Sequence, residues 1–275
     1  MLRLTQLLKS ALVSASLASA AVYAGDPILD AVNGAHRSET NRARDAHRHP
    51  VETLSFFNIA PSMTVVEVWP GAGGWYTEIL APLLRDEGQL YLADFSAESP
   101  VEYYQQSRAK LRAKLDANKA IYENVKLVEL VPGSDTPIVT PGTADRVLTF
   151  RNAHNWYMRG GGEKNLTSVF KQFYTALKPG GLLGVVDHEL PEERPDTDQD
   201  ASGYIKRSTI ISAATAAGFE LVASSDINHN PKDRAEHPKG VWSLPPSLRL
   251  GEQDKAKYLE IGESNRMTLK FVKPE

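Results

Sequence analysis

Residues 65–80 read VVEVWPGAGGWYTEIL. The β-branched run Val65, Val66 and Val68 predicts a buried strand. Pro70, Gly71 and Gly73 then turn the chain, and apolar residues continue at helical spacing as far as Gly88, with Pro82 as a kink. Strand, glycine turn and helix together form an arrangement that holds nucleotides. Gly71 and Gly73 let the backbone approach a ligand closely, and the start of the helix offers free N–H groups. Asp94 closes the next strand, about twenty residues on, where a carboxylate can accept hydrogen bonds from both hydroxyls of a ribose. Glu67, inside the first strand, supports the turn. A dinucleotide frame, G-x-G-x-x-G, needs a third glycine where this chain has Tyr76. That disfavours a nicotinamide oxidoreductase. Trp69 stands where such turns often carry a glycine.

Outward from this stretch, strands and helices alternate. Strands are expected at 63–68, 89–95, 125–130, 144–150, 182–190, 220–227 and 266–273, and long helices at 101–120, 165–177 and 205–219. The polar stretch 37–58 reads as a helix anchored by Leu54, Phe56 and Phe57, and 151–162 reads as a loop. This alternation predicts a mostly parallel sheet covered on both faces. Ligands of such sheets bind beyond the carboxyl ends of the strands. The candidate positions are therefore 69–74, Asp94, 151–156 and 187–189.

The chain has 275 residues, with 31 Lys plus Arg against 34 Asp plus Glu, and no cysteine. Disulfides, cysteine-ligated metals and thiol catalysis are excluded. No basic stripe marks a nucleic-acid partner. Arg3 and Lys9, the short apolar run 12–21 and the small residues before Gly25 read as a secretory signal cleaved after Ala24. The expected organisation is a signal peptide at 1–24, a helical extension at 25–60 and an α/β domain at 61–275, with an insert at about 228–262. The expected destination is the periplasm of a Gram-negative bacterium, with no stable membrane insertion once the signal is removed.

The motifs VVEVWPGAGG, YLADF and ALKPGGLLGVVD, with the closing pair ELVASSDI and RMTLKFVK, resemble the class I S-adenosylmethionine-dependent methyltransferases over residues 50–275. More narrowly, Arg48-His49-Pro50, residues 70–82, 230–233, 240–247 and 263–271 resemble a group of exported, predicted methyltransferases of bacteria. The resemblance implies a three-layer, Rossmann-like sheet of seven strands, mostly parallel with an antiparallel last strand. It implies S-adenosylmethionine as cofactor and a small-molecule substrate. It places the cofactor on Glu67, Trp69, Pro70, Gly71 and Gly73, on Trp75, on Asp94 and Phe95, and on Arg151 and Asn152.

The loop RNAHNWY borders the methyl donor in that superfamily. Methyl transfer is an in-line displacement, so positioning dominates, and a base is needed only where the nucleophile loses a proton. Asn152 is the candidate positioning residue, and His154 and His188 are the candidate bases. Arg151 suits an anionic substrate. Trp156, Tyr157, Asp187 and Trp242 complete the expected substrate wall, with GVWSLPPS packing across the mouth. Arg266 is expected to pair with Glu263. His47 and His49 do not share a helix face; the stretch around them reads first as a helix with surface charges, and second as a lid over the cofactor. His154, Asp187 and His188 could meet around a divalent metal, a minor option, but they lack local ligand spacing and no metal is expected. Two features depart from the superfamily: Trp69, and export away from the compartment where the cofactor is made. They keep a second reading open, a non-catalytic ligand-binding protein of the envelope on a methyltransferase scaffold.

Overall fold

The computed structural model describes residues 25–159 and 161–275; the expected signal peptide lies outside them. Four short helices come first: α1 (Pro27–Val32), α2 (Glu39–Arg42), α3 (Asp45–Arg48) and α4 (Pro50–Phe56). The Asp26 carboxylate caps α1 by accepting the Ile28 and Leu29 N–H groups, and Pro27 sits where no N–H is needed. The stretch read as one helix is thus several, because His49 adopts a left-handed conformation at φ 43° between α3 and α4.

The α/β part follows as β1 (Thr64–Val68), α5 (Thr77–Leu84), β2 (Gln89–Asp94), α6 (Glu102–Ala117), α7 (Lys119–Tyr122) and β3 (Lys126–Glu129). Then come β4 (Ala144–Phe150), α8 (Ala153–Met158), α9 (Gly162–Ala176), β5 (Leu177–Leu190), β6 (Ile205–Lys206) and α10 (Arg207–Ala216). The chain ends with β7 (Glu220–Ser225), α11 (Lys255–Ile261) and β8 (Arg266–Val272). Two single-turn helices, Asp196–Asp200 and Gly240–Ser243, interrupt the connections.

The sheet runs β3-β2-β1-β4-β5-β8-β7. β8 is antiparallel to both neighbours, while β1 to β5 pair in parallel. This is the mostly parallel, three-layer sheet with an antiparallel last strand, with the two-residue β6 added beside β5. Successive side chains of a strand face opposite layers. Val66 and Val147 accordingly join Phe170 and Phe173 of α9 on one face, while Val65 and Leu148 join Leu54, Ile79 and Leu80 on the other. In α9, Leu166, Val169, Phe170 and Phe173 recur at helical spacing and are all buried.

Two local readings change. Residues 153–158, expected as loop, form α8, whose six residues are too few to show a helical period. Asp187 and His188, nominated among the positions beyond the strand ends, lie inside β5 as the strand expected over 182–190 requires, and β8 pairs with it as far as His188 opposite Arg266.

Candidate functional site

Beyond the carboxyl ends of β1, β4 and β5 lies a cavity of about 550 Å³. The β1 turn contributes Glu67, Trp69, Pro70 and Gly71 to its wall, with Trp75 just beyond. Phe95 comes from the end of β2, and Arg151, Asn152 and His154 from the end of β4. His188 comes from β5, Glu263 and Ser264 from the approach to β8, and Trp242 with Pro245 to Ser247 from the insert. The insert therefore borders the cavity, and the Arg249 guanidinium sits 4.5 Å over the Trp242 ring. A second hollow, of about 610 Å³, lies between α9 and the segment 133–137 and holds none of the expected site residues.

Glu67 is buried and accepts the Thr77 hydroxyl at 2.7 Å, which ties β1 to the start of α5. Burial, opposed by that hydrogen bond, raises its pKa to about 8. Gly71 turns at φ 72°, and no atom lies within 4 Å of where a Cβ would stand on Gly71 or Gly73. The turn is open to a ligand, although Gly73 does not border the cavity.

Asp94 does not border it either. It is fully buried, and neither carboxylate oxygen has a hydrogen-bond partner among the described residues. Burial raises its pKa to about 6, against the pull of the nearby Phe95 N–H, which falls short of hydrogen-bond geometry, and of the Arg108 charge. Beside it, Trp69 adopts φ 44°, a left-handed conformation that a large side chain rarely holds. Its ring packs 4.6 Å from Phe95, 5.8 Å from Tyr104 and 5.3 Å from Trp156. Phe95 in turn stacks on Tyr104 at 4.0 Å. This aromatic wall borders the main cavity on one side. On the other it borders a smaller apolar pocket of about 250 Å³, closed by Leu130, Val131 and Pro132.

The residues after β4 are held by specific bonds. Asn152 donates to the Val68 carbonyl at 2.9 Å and to the Thr149 hydroxyl at 3.2 Å, fastening the β4 end to the β1 turn. Arg151 turns left-handed at φ 64° and points α8 into the cavity wall. His154 Nδ1 lies 2.7 Å from Asp187 Oδ1, and its backbone N–H donates to Asp187 Oδ2 at 3.3 Å. The Asn155 amide lies 3.0 Å from His154 Nε2. This network assigns the proton to Nδ1 and leaves Nε2 an acceptor. Asp187 is fully buried and also accepts the His188 N–H at 2.7 Å.

The ring of His188 lies 5.0 Å from that of His154, and its Nδ1 is 2.5 Å from Ser264 Oγ. Burial first, then coupling to the neighbouring His154 ring and the charges of Arg266, Arg151 and Arg48, push its pKa well below the usual value. His154, Asp187 and His188 each offer a ligand atom within 4.8 Å of the others, a set that could hold a divalent ion. No local ligand spacing marks this set, because α8 and the strand β5 deliver it from segments more than thirty residues apart. Trp156 and Tyr157 stay outside the main cavity: Trp156 is a buried core residue, edge-on to Phe173 at 5.6 Å, and Tyr157 packs at the edge of the same cluster.

Arg266 donates to Glu263 at 2.6 Å, as its spacing suggested. Arg44 and Arg48 also reach Glu263, at 2.6 and 3.5 Å. The basic run 42–48 was visible in the sequence, but nothing in it pointed to a partner more than two hundred residues away.

No protein-family model matches the chain, and no curated protein matches it. Solved structures do. The [4+2]-cyclase SpnF superimposes with a TM-score of 0.56 at 16% identity, over 90% of this chain and 92% of that one. A protein of Galdieria sulphuraria assigned as a sarcosine dimethylglycine methyltransferase gives 0.54 at 10% identity, over 86% and 88%. The S-adenosylmethionine-dependent methyltransferase SibL gives 0.52 at 14% identity, over 86% of this chain and 57% of that one. At these identities the likeness concerns architecture, and in architecture this chain has the fold of the class I S-adenosylmethionine-dependent methyltransferases.

Proposed function

We propose that the protein is an S-adenosylmethionine-dependent methyltransferase acting on a small molecule in the periplasm. The observation that carries the cofactor assignment is Asp94. A fully buried carboxylate with both oxygens unpaired is costly. It ends the second strand next to the glycine turn, and although it does not border the cavity, the two hydroxyl donors of a ribose seated on that turn would satisfy it. Glu67 would brace the turn, Gly71 would let the backbone approach, and Phe95 would offer an apolar face. When bound, S-adenosylmethionine supplies an electrophilic methyl group.

The chain's own residues do the rest. His154, whose Nδ1–H donates to Asp187, takes on Nε2 the proton that a protic acceptor gives up, once the Asn155 amide that occupies Nε2 turns aside. Asp187 fixes the tautomer and the ring orientation. Asn152 holds the β4 end against the β1 turn and so keeps the base aligned with the turn. Trp242 and the proline pair of the insert border the cavity and limit water.

One observation favours the second reading, a ligand-binding protein without catalysis. Trp69 closes on Phe95 and Tyr104 beside the turn that the cofactor needs. Calorimetric titration with S-adenosylmethionine and S-adenosylhomocysteine separates the two. The expected result is micromolar binding of both, weakened at least tenfold in Asp94→Asn, about 1.4 kcal/mol. No binding at millimolar ligand would overturn the methyltransferase reading and leave the binding protein.

A further inference from the structure

The sheet order sets two chemistries apart. Asp94 ends β2, whereas Arg266 and Ser264 stand on or beside β8, four strands away. That separation is roughly 19 Å at the usual strand spacing. Between them lie the β1 turn and the neighbouring histidines His154 of α8 and His188 of β5.

The far end is crowded with guanidinium groups. Arg44 donates to Glu263 Oε1 at 2.6 Å, and Arg266 donates to Glu263 Oε2 at 2.6 Å and to Ser264 Oγ at 3.3 Å. Burial alone would raise the Glu263 pKa, but the charges of Arg266, Arg48 and Arg44 hold it at about 2. Its oxygens are therefore already occupied. Arg48 is 1% exposed, and its Nε, Nη1 and Nη2 are all buried without a hydrogen-bond partner among the described residues. Its nearest acid is Glu263 at 3.5 Å, and its guanidinium lies 4.6 Å over the Trp75 ring. Arg44 Nη2 is unpartnered as well. Arg151 borders the cavity, and burial, then Arg266, lower its pKa to about 10. Three guanidinium groups thus share one carboxylate, and Arg151, beside them, has no carboxylate of its own among the described residues. A buried charge persists without a partner only at high cost, and guanidinium suits the planar, multidentate recognition of carboxylate or phosphate.

The geometry points to an anion-binding subsite at the end of the cavity that Arg151, Trp75 and Glu263 line, with Arg48 buried directly behind Trp75 and Glu263; the subsite takes a carboxylate or phosphate group of the acceptor substrate. Its position supports the acceptor as the source. The cluster runs through Ser264 to His188, whose ring lies 5.0 Å from His154. An acceptor anchored there by its anion has its remaining groups beside the base. The inference deepens the methyltransferase reading by naming an acidic small molecule as acceptor, and it rests on that reading for the word acceptor alone.

The test is thermal unfolding of the purified protein in inorganic phosphate or malonate, with chloride holding the ionic strength constant. Wild type is expected to gain about 3 °C or more at millimolar anion, and Arg151→Met and Arg48→Met to lose the gain. Arg48→Met without added anion is expected to unfold at or above the wild-type temperature, because it removes an uncompensated buried charge; a purely structural arginine predicts the opposite sign. No gain in wild type, a gain kept in both variants, or a strongly destabilised Arg48→Met would overturn the subsite.

Titration of both variants with S-adenosylhomocysteine and with 5′-methylthioadenosine, which lacks the amino-acid carboxylate, identifies the source. Unchanged affinity for both supports the acceptor. A tenfold loss for the first alone would assign the cluster to the cofactor and overturn the acceptor assignment. If neither nucleoside binds wild type, the methyltransferase reading fails, while the phosphate and malonate results still decide the anion subsite.

Discussion

Trp69 is the residue where backbone preference and packing disagree. A left-handed φ of 44° costs a non-glycine residue about 1–2 kcal/mol, and it persists because Phe95, Tyr104 and Trp156 hold the indole in place. Removing a buried indole costs about 3–5 kcal/mol, of which relief of strain returns a part. Trp69→Gly is therefore expected to lose roughly 2–4 kcal/mol of stability in urea unfolding. It should also bind S-adenosylmethionine at least fivefold tighter, since the wall no longer narrows the turn. Equal or weaker binding would mean that Trp69 lines the cofactor site and does not obstruct it. The glycine turn and Asp94 were legible in the sequence because close backbone approach and a strand-end acid leave local signatures. The orphaned state of Asp94 was not, since it depends on how its neighbours pack.

The connection from β4 into α8 carries the candidate base, and its geometry comes from neighbouring strands. Asp187 of β5 accepts both the backbone N–H and the Nδ1 proton of His154, so one buried carboxylate pins the start of α8 and orients the imidazole. Asp187→Asn preserves volume but presents an amide where an acceptor is needed. The His154 proton is expected to move to Nε2, seen as an exchange of the two ring-nitrogen shifts in a long-range proton–nitrogen spectrum. Methyl transfer to a protic acceptor should then fall roughly 10²-fold or more. An unchanged tautomer would remove Asp187 from its orienting role. The sequence singled out His154, Asp187 and His188 as residues that could meet, but it left 151–162 as a loop. A helix of six residues shows less than two turns of periodicity, and the bonds that order it cross from β5, more than thirty residues on.

In the molecule as a whole, the segments outside the common sheet converge on the cavity. The N-terminal helices meet the β1 turn where Trp75 donates to the Asn41 carbonyl at 2.9 Å. They meet the segment after β7 where Asn228 donates to the Thr53 hydroxyl at 3.1 Å. That segment meets the approach to β8 where Asn230 donates to the Ile261 and Glu263 carbonyls at 2.9 and 2.7 Å. Glu263 closes the ring by holding Arg44 from the start of the chain and Arg266 from its end. Alternating apolar patterns exposed the sheet to a reading of sequence, whereas these polar clasps join distant segments that show no period of their own. Glu263 should therefore contribute to stability well beyond its locality. Its pKa is held at about 2, so its contribution is full above the ordinary carboxylate value of 4.5 and fades as pH falls through the folded value. Glu263→Gln, which leaves the guanidinium groups uncompensated, is expected to cost roughly 3 kcal/mol or more at pH 7. The gap from wild type should narrow at pH 3, where the native carboxylate has lost most of its advantage over the unfolded one. Urea unfolding of both proteins at the two pH values measures it. A gap that is absent at pH 7, or that widens at pH 3, would show that the arginines do not depend on this carboxylate to hold the two ends of the chain over the cavity.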